Sequence, residues 1–308
     1  MNRKPIKPKA LKSGDTVAVA ASAATIERAH LERGVNVLAS MGFRVKVSER
    51  VLARSGILAG DDRERASELR KYFADPEVKA IFSARGGYGC GRLLPLLDFK
   101  AMTGMPKIFV GFSDATFLLN ALVDLCGMVS FHGPMVAMDF SLGISPRALE
   151  HLQGLLSGKL NGFELEARES MHPGSAEGQV IGGCLSVLVA MIGTPYQPSF
   201  DGRILFLEDT GEKAYRIDRM LVQLRQCGAL GRVAGIVFGA IRAIDGNEQE
   251  TRMIARFVAE QTAGLGCPVL FGIEAGHGTE NFTIPFGVTA RIDSAARRIV
   301  FTEPAVTR

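Results

Sequence analysis

A chain of 308 residues, 47% apolar and 22% charged, has the composition of a globular protein with one large domain or two ordinary ones. Its net charge of +4 is small, and its basic residues are scattered among acidic ones, which argues against a nucleic-acid-binding protein. We interpret the basic N-terminal residues as a solvated start to the chain; they are Arg3, Lys4, Lys7, Lys9 and Lys12.

The five cysteines lie far apart and form no Cys-x-x-Cys pair. Their odd number and low density are typical of reduced thiols rather than of a disulfide framework or a zinc site. No apolar signal-peptide core follows the N-terminal lysines, and the small-residue stretch 18–24 is too short to span a membrane. We therefore expect a cytoplasmic protein with no membrane or nucleic-acid partner.

The first part of the chain alternates strands with helices. Strands are predicted at 15–22, 43–48, 78–84, 107–112 and 128–132, and helices at 26–41, 63–74 and 115–125. This alternation implies right-handed crossovers and a mostly parallel sheet, in which ligands bind at the carboxyl ends of the strands. The rule places Arg85 to Gly91 and Gly111 to Asp114 in the functional zone.

The second part of the chain is predicted to form another α/β domain. From about 141 to 178 the sequence loosens into one helix, glycines, a proline and mixed charge, which we interpret as a linker. The later elements are strands at 202–208, 233–241 and 268–273, helices at 215–226 and 249–262, and a terminal β-pair within 284–302.

The expected fold class is α/β, with a mostly parallel, Rossmann-like N-terminal sheet and a C-terminal α/β domain whose sheet is mixed and partly barrel-like. The expected boundaries are 1–140 for the first domain, 141–178 for the linker and 179–308 for the second domain.

Ser113 is a candidate nucleophile, because an apolar strand ends at Gly111 and Ser113-Asp114 then opens an apolar helix. At such a turn the backbone amides point outward and can hold an oxyanion. Ser113 or Asp114 as an ordinary helix N-cap is the alternative. The Gly-x-Ser-x-Gly elbow of α/β-hydrolases does not match, because position 115 is alanine.

The glycine-rich run from Arg85 to Gly91 also ends a strand. A dinucleotide fingerprint fails here, because Arg92 stands where its third glycine is required. A loop that donates a backbone N–H to an oxyanion fits this run at least as well as a phosphate-binding loop does.

In the second domain, His277 lies in a glycine-flanked loop just past a strand, where catalytic residues are common. Glu208 and Asp209 close a long strand, and since successive side chains point to opposite faces, only one of them can orient a histidine. Spacing alone leaves that choice open.

Taken together, the motifs resemble the LD-carboxypeptidase family of serine peptidases over nearly the whole chain. They are Ala84-Arg-Gly-Gly-Tyr-Gly, Val110-Gly-Phe-Ser-Asp-Ala-Thr, His132-Gly-Pro, Gly182-Gly, Gly193-Thr-Pro, Phe206-Leu-Glu-Asp and Gly276-His-Gly. The resemblance implies a catalytic triad of Ser113, Glu208 and His277, with the backbone amides of Gly87 and Asp114 as oxyanion donors. Serine from the first domain and its partners from the second imply a site in the interdomain cleft.

The resemblance also implies the reaction. It predicts release of the terminal D-alanine from a cell-wall tetrapeptide in peptidoglycan recycling, through an acyl-enzyme and without metal or organic cofactor. Arg85 is a candidate for binding the substrate carboxylate, and family members are commonly homodimers.

Two other functions remain open at this point. The microcin-immunity branch of the family cleaves a peptidyl-nucleotide and stacks the base on tryptophan, which this chain lacks, although Tyr196 could also stack. A non-catalytic ligand-binding protein with two lobes is the other. The chain also departs from a common family pattern at Cys184, where many relatives have asparagine.

Overall fold

The computed structural model describes residues 4–244 and 247–308, so Arg3 of the basic N-terminal group lies outside the described residues. The chain separates into two compact units. Unit 1 takes the chain up to Asn161 together with Phe282–Gly287 and Pro304–Arg308, and unit 2 consists of Gly162–Asn281 and Val288–Glu303.

The first part of the chain contains the following strands and helices: β1 (Thr16–Ala20), α1 (Arg28–Ser40), β2 (Arg44–Val47), α2 (Asp62–Ala74), β3 (Val78–Ser83), α3 (Phe99–Thr103), β4 (Ile108–Gly111), α4 (Thr116–Cys126), β5 (Ser130–His132) and α5 (Pro146–Leu156). The chain continues with β6 (Phe163–Glu166), β7 (Glu169–His172), β8 (Ser175–Cys184), α6 (Leu185–Met191), β9 (Ile204–Glu212), α7 (Ala214–Gln226), β10 (Gly235–Ala243), α8 (Glu248–Thr262), β11 (Val269–Phe271), β12 (Ile284–Phe286), β13 (Thr289–Asp293) and β14 (Arg298–Phe301).

The sheet of unit 1 is mostly parallel, which confirms the predicted fold class. Among the described residues its strand order is β12-β5-β4-β3-β1-β2, and β12 alone runs antiparallel. The strands β1, β3 and β4 are buried almost throughout, because their side chains are covered on both faces. This packing fixes the carboxyl ends of β3 and β4, where the glycine-rich run and Ser113 begin.

The predicted terminal β-pair is present, but it takes up only part of the range expected for it. The terminal β-pair expected within 284–302 consists only of β13 and β14, whereas β12 leaves it and pairs with β5 in unit 1. Gly287 has a φ of +84° and turns the chain between β12 and β13. Ile284 and Phe286 are fully buried in the unit 1 sheet, and this apolar burial accounts for the exchange.

The sheet of unit 2 is mixed, with the described strands in the order β6-β14-β13-β8-β9-β10-β11-β7. The strands β8 to β11 are parallel, and the others are antiparallel. The strands β6 and β7 lie at opposite edges of this sheet, yet they follow one another in the chain. The end of β6 (Glu166) and the start of β7 (Glu169) therefore lie within about 11 Å of each other. The sheet therefore curls, in agreement with the expected partly barrel-like form.

The observed units differ from the expected boundaries in two ways. The segment 141–178, expected to be a linker, contains α5 in unit 1, and β6, β7 and the start of β8 in unit 2. The change of unit falls between Asn161 and Gly162. The short edge strands β6 and β7 are rich in glutamate and only half buried, so their sequence carries little of the apolar alternation that identifies a strand.

Candidate active site

Ser113 lies on a sharp turn between β4 and α4. Its φ of 59° is in the left-handed region, which costs a residue with a side chain on the order of 1–2 kcal/mol. Room for this turn comes from missing side chains: a Cβ on Gly86 would lie 2.8 Å from both the Cβ and the Oγ of Ser113. The strained backbone and the cleared space around Oγ are the features of a nucleophile elbow.

The glycine-rich run after β3 lies directly against this turn, as the closeness of Gly86 to Ser113 shows. Gly87 has a φ of +102°, and a Cβ there would approach the Cβ of Ala24 to 2.7 Å. Asp114 is 2% exposed, and one oxygen of its carboxylate accepts a hydrogen bond from the backbone N–H of Cys90 at 2.7 Å. The turn and the glycine-rich run are thus joined within unit 1.

Glu208 and His277 form a part-buried pair in unit 2. The Oε2 of Glu208 lies 2.6 Å from Nδ1 of His277 and also accepts the backbone N–H of His277 at 3.1 Å. The Glu208 side chain is fully buried, and that of His277 is 19% exposed. Because Nδ1 donates to the carboxylate, Nε2 is left as the proton acceptor of the neutral ring.

Gly276 makes the close approach of the histidine loop to Glu208 possible. Its φ is +89°, and a Cβ there would lie 2.5 Å from Oε2 of Glu208. The backbone N–H of Gly276 donates to Oδ1 of Asn281 at 3.0 Å, which holds the other side of the loop. The loop therefore presents the His277 ring in one orientation.

Comparisons with known proteins identify the family. Residues 17–133 match the LD-carboxypeptidase N-terminal domain, and residues 177–292 match the LD-carboxypeptidase C-terminal domain. The chain is 36% identical to the probable murein peptide carboxypeptidase of Bacillus subtilis over 96% of this chain and 93% of that protein. The chain belongs to the LD-carboxypeptidase family. It is accordingly a serine-type carboxypeptidase, a hydrolase.

Two further relatives of this LD-carboxypeptidase represent the two branches of the family that the sequence analysis considered. The crystal structure of muramoyltetrapeptide carboxypeptidase from Oxalobacter formigenes is 31% identical, has a TM-score of 0.83, and is matched over 92% of this chain and 97% of that one. The microcin C7 self-immunity protein MccF of Escherichia coli is 28% identical over 97% of this chain and 96% of that protein. Both expected branches of the family are therefore represented among its relatives.

Strand spacing did not decide whether Glu208 or Asp209 orients His277. In this LD-carboxypeptidase, the Asp209 carboxylate bonds to backbone groups elsewhere in unit 2. Its two oxygens accept the backbone N–H groups of Ser186, in the first turn of α6, and of Thr210, each at 2.7 Å. Burial raises the pKa of Asp209 to about 6, although the hydrogen bond from Ser186 opposes the shift. Adjacent residues of β9 thus point to opposite sides, as strand geometry requires.

Replacing Asp209 by asparagine is expected to change the pH dependence of stability. Because folding raises the pKa of Asp209 from 3.8 to about 6, its stabilising contribution is complete below pH 3.8 and is lost as the pH rises through 6. The free energy of unfolding of the wild type, relative to Asp209→Asn, should fall by roughly 2 kcal/mol between pH 4 and pH 6.5. Urea unfolding at several pH values measures this, and a constant difference would contradict it.

The remaining residues singled out in the sequence lie elsewhere or take structural contacts. Nη1 of Arg85 donates to the carbonyl of Thr25 at 3.1 Å, and its role in binding a carboxylate stays a prediction. His132 is fully buried between the rings of Phe112 and Phe286, so it packs in the core of unit 1.

The position of Cys184 bears on the chemistry of unit 2. Cys184 ends β8 directly beside Glu208 in the parallel register, is 5% exposed, and has its Sγ 3.3 Å from Oγ of Ser186. Burial raises the pKa of this thiol well above its ordinary value, so it stays protonated. Cys184 is therefore a neutral neighbour of the Glu208–His277 pair.

Neither a metal cluster nor a membrane-spanning helix is found in the described parts of the chain. No three His, Cys, Asp or Glu side chains within 4–244 and 247–308 are grouped as metal ligands. Over the same residues, no helix has the length and apolarity needed to cross a bilayer.

Proposed function

We propose that this LD-carboxypeptidase releases the terminal D-alanine from peptidoglycan-derived tetrapeptides by means of a Ser113–His277–Glu208 triad. The observation that carries the proposal is the 2.6 Å hydrogen bond between Oε2 of the buried Glu208 and Nδ1 of the part-buried His277. This bond leaves Nε2 of His277 as a base, and Ser113 on its strained turn is the matching nucleophile.

In the proposed mechanism, Nε2 of His277 takes the proton of Ser113 as Oγ attacks the carbonyl carbon of the penultimate residue. The backbone N–H groups of Gly87 and Asp114 stabilise the oxyanion of the tetrahedral intermediate. His277 then gives its proton to the nitrogen of the departing D-alanine, the C–N bond breaks, and an acyl-enzyme remains on Ser113. Water, activated by His277, hydrolyses that ester and releases the tripeptide.

The glutamate supplies orientation and charge in this scheme. Oε2 of Glu208 holds the ring through both Nδ1 and the backbone N–H of His277, and its negative charge stabilises the imidazolium that forms during attack. Full burial of the carboxylate strengthens this interaction, since little water screens it. No metal or organic cofactor enters any of the proposed steps.

The substrate class is inferred from the relatives. The muramoyltetrapeptide carboxypeptidase and the probable murein peptide carboxypeptidase support a cell-wall tetrapeptide as the substrate. We propose that it is cut between its diamino acid and D-alanine. MccF supports the runner-up, a peptidyl-nucleotide, but this chain has no tryptophan to stack a base. A non-catalytic ligand-binding protein is the third hypothesis. Cytoplasmic location and a homodimer stay predictions.

Incubation of the purified protein with a muropeptide tetrapeptide is expected to release D-alanine and tripeptide. Mass spectrometry measures both products. The control is the same peptide ending in L-alanine, which should be cut at least about 100-fold more slowly because the leaving residue has the wrong hand. Release of amino acid from a peptidyl-adenylate but not from the tetrapeptide would move the assignment to the microcin-immunity branch. Turnover of neither substrate would contradict the proposed function.

A further inference from the structure

The carboxylate of Asp114 makes a contact that its proposed role as a backbone donor does not explain. It is 2% exposed, and its Oδ2 accepts a hydrogen bond from the N–H of Cys90 at 2.7 Å. Burial raises the pKa of Asp114, so holding this group in the interior is costly. A buried carboxylate next to the nucleophile therefore reaches across to the glycine-rich run.

Arg65 holds the same point of the run from the opposite side. It extends from α2, its side chain is fully buried, and Nη1 donates to the carbonyl oxygen of Gly89 at 3.1 Å. The same nitrogen donates to the carbonyl of Ser22, and Nη2 pairs with Asp62. The opposite charges of Arg65 and Asp114 also favour the ionised form of the carboxylate.

These two contacts act on a single peptide group. The carbonyl of Gly89 and the N–H of Cys90 belong to one planar unit, so Arg65 fixes its oxygen while Asp114 fixes its hydrogen. Gly89 has a φ of +134°, in a region that other residues rarely adopt, and two more glycines precede it at 86 and 87. Because glycines have wide conformational freedom, the contacts from Arg65 and Asp114 are needed to hold this run in one conformation.

We propose that Asp114 and Arg65 are positioning residues, which grip the Gly89–Cys90 peptide and so set the spacing between the two backbone donors, Gly87 and Asp114. Asp114 belongs to the nucleophile turn, so its side chain ties one donor to the run that carries the other. The inference rests on the proposed function, because it assigns these residues to the oxyanion hole of that reaction.

The proposal predicts a loss in kcat with little change in KM. A misplaced donor costs about 10- to 1000-fold, and we expect Asp114→Ala to lower kcat about 100-fold and Arg65→Lys about 10-fold, with KM within about threefold. Asp114→Asn keeps one acceptor for the N–H of Cys90, so it should recover about a tenth of wild-type kcat and serves as the test if Asp114→Ala does not fold. The matched control is Glu68→Gln, which removes the negative charge from the part-buried Arg50–Glu68 pair of the same unit and should leave kcat within about threefold.

Ligand binding separates positioning from general destabilisation. A peptide boronate, which mimics the tetrahedral intermediate, should bind each variant more weakly in proportion to its loss of kcat/KM. The tripeptide product should bind all variants as it binds the wild type. If the wild type releases D-alanine while Asp114→Asn and Arg65→Lys keep kcat within twofold, or change KM alone, the inference is overturned and the proposed function stands. If the wild type itself releases no D-alanine, both fail together.

Discussion

Ser113→Ala is expected to lower kcat/KM for D-alanine release by about 10⁴- to 10⁶-fold, since the variant cannot form the acyl-enzyme. Only Oγ is removed, and the turn and its neighbouring amides keep their hydrogen bonds. The oxyanion donors and substrate binding should account for whatever activity remains. Release of D-alanine, followed by mass spectrometry over hours, measures the loss.

The matched control for this substitution is Ser83→Ala. Ser83 is buried at the carboxyl end of β3, but it does not lie on a left-handed turn. We expect this variant to retain kcat/KM within about threefold. If Ser113→Ala keeps more than about 1% of wild-type kcat/KM, Ser113 is not the nucleophile.

Glu208→Gln is expected to lower kcat about 10⁴-fold with KM little changed. The glutamine amide has the size of the carboxylate but is neutral, and when it turns its nitrogen toward His277, it selects the tautomer whose Nε2 carries the proton. His277 then cannot accept the proton of Ser113. Steady-state kinetics on tetrapeptide measures the loss.

The neighbouring carboxylate provides the control for this second substitution. Asp209→Asn changes a buried carboxylate on the same strand that bonds to the backbone of α6 rather than to His277. It should keep kcat within about threefold at pH 7. Equal losses of kcat in the two variants would mean that Glu208 acts through the stability of unit 2 and has no particular role in catalysis.

Much of the fold follows from sequence patterns, because most of its strands and helices bury continuous apolar faces. The elements from β1 to α5 lie where apolar periodicity predicts them, to within a few residues at each end, except the short helix α3, which the sequence analysis did not predict. Pairing over long sequence separation was not predictable in the same way. The strand β12 has an apolar pattern that suits either unit, and only its burial beside β5 selects unit 1.

The candidate site was predictable in part. Glycines, a strand end and a helix start point to Ser113 and Gly87, but alternation along β9 shows only that Glu208 and Asp209 face opposite ways. Their contacts separate them: one bonds to His277 and the other to Ser186.

The positioning role that we propose for Arg65 could not be predicted from the sequence. It lies in the helix α2, whose many charged residues predict a solvent-exposed face, yet the Arg65 side chain is fully buried. Buried arginines are rare because desolvation is costly, so sequence patterns carry little information about where one is held by backbone carbonyls.

Covalent labelling of Ser113 tests the central claim most directly. The purified protein is treated with a serine-directed phosphonate carrying a D-alanine-like leaving group, digested, and mapped by mass spectrometry while residual D-alanine release is followed. We predict one adduct, on Ser113, whose formation parallels the loss of activity and is at least about 100-fold slower in Glu208→Gln. Full activity after prolonged treatment with Ser113 unmodified, or inactivation through an adduct on another residue, would contradict the account.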